Sequence, residues 1–328
     1  NNIKKIGLTA LAGSLVAISA QAAEMSVNGA TMLTYTSEDG SEVTGNPFGM
    51  KTNLAFTASG EVNGYNVSYY QASQDQFAGM SSARLSIDMG DMGTLAFDQG
   101  SGSGLATIDD KTPTAAEEIW DGLDVTTSGR VGAAGSSGVF NYVKSFEGVT
   151  FNGAARKGSG TSNSDGASSG VGQGAWDFAL TADGSSMGVD GLAIGAGYGE
   201  AENGSEASTT GGDNAHTTAF ANYSVGPVTF GAQMSYEHNN TTGTRDEETT
   251  AWGLAFNVNE NLSISYGERD VVFRGQGSGD ITEKGDGIAV AYTMGSMKIA
   301  GNMNDATNMG GSAAANDSMT EIAVSFAF

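Results

Sequence analysis

Six carboxylates fall within one stretch of the chain, Gln99 to Ser137: Asp109, Asp110, Glu117, Glu118, Asp121 and Asp124, against only Lys111 and Arg130. Acids gathered without a histidine or cysteine among them suit electrostatic work, and around a narrow passage they favour cations. As plain solvated charge, or as rim ligands of divalent ions, they would do no such work.

Other chemistries find less support. Cysteine is absent, which removes disulfides, thiolate catalysis and Cys-based zinc sites. His216 and His238 are the only histidines and lack ligand spacing, so no metal site is expected. Ser and Asp are plentiful, but a catalytic triad is recognised by geometry and not by abundance, and no enzyme and no cofactor are expected. The Gly runs Gly100-Ser101-Gly102-Ser103-Gly104 and Gly275-Gln276-Gly277 open no helix, so they read as flexible loop and not as phosphate cradles. The acids at 200–213 (Glu200, Glu202, Glu206, Asp213) could hold Ca²⁺ weakly, without EF-hand spacing. A net charge of −23 excludes a nucleic-acid partner, which would need a basic face.

A 39-residue connection must be positioned by something, because ordinary loops are about 4–6 residues long. It makes sense if it folds into a cavity and lines it. The chain starts with a leader pattern: Lys4 and Lys5, an apolar run from Ile6 to Ala20, and the small-x-small site Ala20-Gln21-Ala22. Residues 1–22 are therefore expected to be a signal peptide, and 23–328 the mature domain. The segment has two bases and no acids, so its removal takes the charge from −23 to −25. No later apolar run is long enough for a membrane helix.

From Met25 onward the sequence alternates with period two, so successive side chains point to opposite faces. Strands are expected at 25–37, 49–60, 64–71, 81–89, 93–98, 138–145, 149–157, 175–183, 191–200, 215–224, 228–237, 248–258, 262–271, 284–294, 297–305 and 317–328. Trp252, Leu254, Phe256 and Val258 make one stripe; Ile322, Val324, Phe326 and Phe328 make another. The opposite faces carry Ser, Thr, Asn, Gly, Ala and charge. Connections alternate long and short, as in outer-membrane barrels, which have even strand numbers and short turns at one end. A sandwich has no reason for that alternation. The expected fold is all-β: a 16-stranded antiparallel transmembrane β-barrel with a long third external loop folded into the lumen. Closure removes the edges a membrane forbids, and at about sixteen strands an aqueous channel remains.

On these features the mature chain resembles the Gram-negative general porins. The resemblance covers essentially all of 23–328. It implies an outer-membrane homotrimer, a third loop narrowing the pore, and a final aromatic strand acting as assembly signal, matched by Phe326 and Phe328. The Pro-Glu-Phe-Gly-Gly loop tip of enteric members is missing; Pro113 and Glu117-Glu118 are the nearest material. The basic cluster facing the loop is sparse, with Lys51 and Arg84 on the polar face, and Arg156, Arg269 and Lys298 as weaker candidates. Lys51 and Arg84 would set a transverse field against the loop acids, or merely pair with lumen carboxylates such as Asp88 or Asp98. The expectation is passive diffusion of small hydrophilic solutes and ions with a preference for cations. A substrate-specific channel, or a plugged barrel acting as adhesin or receptor, are the alternatives.

Overall fold

The computed structural model describes residues 24–40, 43–73, 80–124, 131–132, 134–135, 137–158, 174–202, 213–240, 244–275 and 279–328. The expected signal peptide, 1–22, lies outside the described residues. The strands are β1 (Glu24–Asp39), β2 (Phe48–Val62), β3 (Tyr65–Ser73), β4 (Met80–Asp88), β5 (Thr94–Gln99), β6 (Ser137–Phe146), β7 (Val149–Arg156) and β8 (Ala175–Asp183). They continue with β9 (Leu192–Ala201), β10 (Asn214–Val225), β11 (Val228–His238), β12 (Glu247–Asn257), β13 (Leu262–Phe273), β14 (Ile281–Met294), β15 (Met297–Thr307) and β16 (Asn316–Ala327). Each pairs antiparallel with its chain neighbours, and β1 pairs with β16 to close a barrel. At the seam Gly29 N donates to Phe328 O (2.8 Å), and Phe328 N donates back to Gly29 O (2.9 Å).

The short connections carry the turn chemistry the strand twist requires. Asn63-Gly64 and Glu147-Gly148 each place two successive residues at positive φ (53° and 85°, 50° and 84°). That is the two-residue hairpin turn whose twist matches its strands.

Burial reverses the order of a soluble protein. Leu33, Met50, Leu254, Ile288, Val290 and Ile322 are exposed on the outer face, while Asn141, Gln233, Asn302 and Asn304 are buried inside. A hydrocarbon surround explains both, since apolar side chains meet lipid and polar ones line the lumen. Aromatic residues collect toward both strand ends: Tyr35 packs edge-on against Phe48 at the long-loop end (5.6 Å), and Tyr223, Phe256 and Tyr292 lie toward the short turns.

Candidate functional site: the long loop against the inner wall

β5 ends at a bulge between Asp98 and Gln99, and the chain turns inward there. Asp98 is fully buried and organises the turn, accepting from Ser101 N (3.0 Å) and Ser103 Oγ (2.7 Å). Gly100 and Gly102 sit at positive φ (93° and 87°), conformations open to residues without a Cβ. The Gly-Ser run expected to be flexible is therefore built around a buried carboxylate. It opens a 3-10 turn, Gly104–Ile108, within the stretch read as irregular. Leu105 and Ile108, three residues apart, are both completely buried against Ala179, with Val131 and Phe220 packed around them. That apolar pair is the reason for the turn.

From there the loop follows the inner wall from strand to strand. Gln233 on β11 accepts from Lys111 N (2.8 Å) and donates to Ile108 O (2.9 Å). Asn222 on β10 donates to Lys111 O (2.7 Å). Ser265 on β13 accepts from Ala115 N (2.8 Å). Asn304 on β15 donates to Glu118 O (3.2 Å) and Asp121 O (2.9 Å). Asp317 on β16 accepts from Asp124 N (2.9 Å). One carboxylate holds both arms of the loop: Asp177 on β8 accepts from Leu105 N (2.9 Å) and from Ala134 N (2.7 Å). Every partner is on the face opposite the exposed apolar stripe, so the described loop lies inside the barrel.

The predicted basic residues divide. Arg84 is tied down beside Asp98 (3.9 Å), donating to Gly102 O (3.1 Å) and to Asn141. It supports the root of the loop, which is the pairing alternative of the sequence reading. Arg269 is withdrawn from the lumen, buried beneath the loop with Glu283 at 3.5 Å and the Trp120 ring 5.2 Å from its guanidinium. A guanidinium stacks well on an aromatic face. Arg156 lies at the returning arm, beside Gly135. Lys51 and Lys298 face the loop acids, near enough for their charges to act on Asp121 and Glu118 respectively.

The profile of a family described as Gram-negative porin matches residues 7–311. The chain belongs to the Gram-negative porin family. The porin is an outer-membrane channel protein, and its barrel is that of solved porins. OmpT of Vibrio cholerae with loop L8 deleted superposes with a TM-score of 0.67 at 12% identity, covering 94% of this chain and 100% of that one. OmpF of Salmonella typhi, in complex with daunomycin, gives 0.66 at 12%, covering 93% and 97%. An anion-selective porin from Comamonas acidovorans gives 0.65 at 11%, covering 93% and 100%. No curated protein sequence matches the porin.

The porin's loop acids carry perturbed charge. Burial pushes the Asp109 carboxyl up, against a hydrogen bond from Asp110 and the charge of Lys111. Asp110 is pushed up to about 6, by burial first and by the adjacent Asp109 charge second. Burial raises Glu118, and the charges of Asp110 and Glu117 add to it. Burial raises Asp121 as well, reinforced by Glu117 and Glu118 and opposed by Lys51. Like charges crowded in a partly desolvated place resist ionisation, so the direction is the same at all four. Asp124 is exposed at the far end of the described loop.

Sequence reading missed Glu321. It lies on the inward face of β16, accepts from Thr36 Oγ1 (3.0 Å) and joins the acids near Asp121 and Glu117. Its parity, opposite Ile322 and Val324, puts it on the polar face in the sequence, but nothing there ties it to the acids of a loop about 200 residues away. Of the 200–213 acids, Glu200 accepts from the Tyr198 hydroxyl (2.6 Å) and Glu202 from Gly174 N (2.7 Å), while Glu206 lies outside the described residues.

Proposed function

We propose that the porin is a passive diffusion channel for small hydrophilic solutes and ions, with a preference for cations set at the third loop. The observation that carries this reading is the convergence of Glu117, Glu118, Asp121 and Glu321, with Lys51 and Lys298 as the bases acting on them among the described residues. Carboxylates at a constriction raise the local cation concentration and repel anions, most strongly where low-dielectric walls focus the field. An anion-selective porin shares the fold, so selectivity has to come from charges like these and not from the barrel.

The assembly is a homotrimer, in keeping with the trimer form of Vibrio cholerae OmpT. Residues 1–22 direct export and are removed, and Phe326 and Phe328 serve as the assembly signal. The test is the reversal potential in a planar bilayer under a salt gradient. Replacing Glu117 and Glu118 by Gln and Asp121 by Asn lowers the cation preference. An unchanged potential in that variant defeats the assignment.

A further inference from the structure

Gly231, Gly253, Gly267 and Gly287 are directly opposite one another on β11, β12, β13 and β14, forming one unbroken cross-strand row on the inner wall. The row continues into Asn222 on β10 at one end and Asn304 on β15 at the other. All four glycines are buried, and the long loop covers them. A Cβ on Gly253 would stand 2.5 Å from Pro113 O, and one on Gly231 would run into the Asn222 amide and stand 2.6 Å from Pro113 Cδ. On Gly267 it would meet the wall's own Trp252 O at 2.8 Å and then Ile119 Cγ2 at 3.2 Å; on Gly287 it would meet the Asn304 amide and then Ile119 Cβ at 3.1 Å. The two asparagines donate to the loop carbonyls of Lys111, Glu118 and Asp121. Glycine within a strand weakens it and marks a place where another backbone comes close. Here the close backbone is the loop, set into a trough of bare strand with an amide hook at each end.

We propose that this glycine row is a positioning device that sets the width of the pore. The residues that fix the cross-section are then hidden beneath the loop, and the solute never touches them. The inference rests on the reading that the acidic edge of the loop bounds the channel. It adds that the distance between loop and wall is controlled by the missing methyl at Gly253, while Gly231 and Gly287 leave room for the Asn222 and Asn304 amides that hook the loop. Interiors packed without voids transmit such changes instead of absorbing them. A methyl on Gly253 needs about 1 Å more clearance from Pro113, and the loop can give it only toward the lumen.

The experiment is single-channel conductance of the trimer in planar bilayers for the Gly253→Ala and Ile119→Ala variants. Gly285→Ala is the control, since its Cβ meets nothing closer than Asp305 O at 3.6 Å and no loop atom. Current follows pore cross-section, so Gly253→Ala is expected to lose on the order of one third of the conductance while remaining cation-preferring. Ile119→Ala removes bulk from the loop side, threatens no strand, and lets the loop settle outward, raising the conductance. The control conducts as the native protein does. Native conductance in a folded Gly253→Ala barrel overturns the proposal. Should that variant fail to fold, native conductance in Ile119→Ala overturns it equally. If instead the acid-neutralised variant keeps its selectivity while the glycine and isoleucine variants shift conductance, the charge assignment falls and the positioning row stands.

Discussion

Two walls of the same barrel differ in what faces inward. On the wall from β10 to β15 the loop-facing row is buried glycine between a half-buried Asn222 and a buried Asn304, with both amides spent on loop backbone. On the wall from β1 to β4 the lumen sees Asn28, Asn53, Tyr70 and Ser82 around an open recess, with Lys51 and Arg84 on the same inward face. One period-two alternation produced both. The covered wall is shaped to hold protein; the open wall is left uncovered by the described loop. On the proposed reading the channel runs between an acidic loop edge and a polar wall with few charges, and that asymmetry is what would favour cations.

The comparison breaks hardest at Asp177. Replacing it by Ala leaves the buried Leu105 and Ala134 N–H groups without their acceptor. Each loss costs about 1–3 kcal/mol. The expected outcome is a loop released from the covered wall, read as noisy, unstable single-channel current and protease cleavage within 104–124. Removing Asn28, Asn53 or Tyr70 from the open wall should do neither, and cleavage in those variants would erase the distinction between the walls.

The pH response is the next largest effect. Asp110 is raised from 3.8 to about 6. It is charged at pH 7.5 and takes up a proton as pH falls through about 6, so cation preference declines between pH 7 and 5. The folded state binds this proton more tightly than the unfolded chain, so the contribution to loop docking is present at low pH and lost as pH rises through about 6. Reversal potentials across this range check the first statement. Asp110→Asn should flatten the response, and an equally steep response in that variant would reassign the titration. The smallest effect is expected at Lys51→Ala, which removes one of the few bases opposing the acids and moves the reversal potential slightly further toward cations. A shift toward anions would contradict its placement opposite Asp121.

The barrel was legible because stripes such as Leu254-Phe256 or Ile322-Val324 recur with period two and because the connections alternate long and short, which a sandwich has no reason to do. The loop was legible by length and charge. Its docking was not, because it depends on register: Gly231, Gly253, Gly267 and Gly287 look like ordinary strand glycines until pairing sets them side by side. Arg84 and Arg269 were placed on the correct face by parity, yet parity gives no depth. Asp98 holds the first, while the second lies between Glu283 and Trp120. Gln233, Ser265 and Asp177 carry no motif; their role comes from the loop backbone that reaches them.

The docked loop is the central claim, and the cysteine-free sequence offers a direct test. The hydroxyls of Thr114 and Ser265 lie 3.4 Å apart across the loop–β13 contact. In the Thr114→Cys/Ser265→Cys variant a disulfide should form in the folded barrel, with the same conductance before and after reduction. Failure to cross-link, or a conductance that changes when the bond is reduced, would show that the loop rests elsewhere.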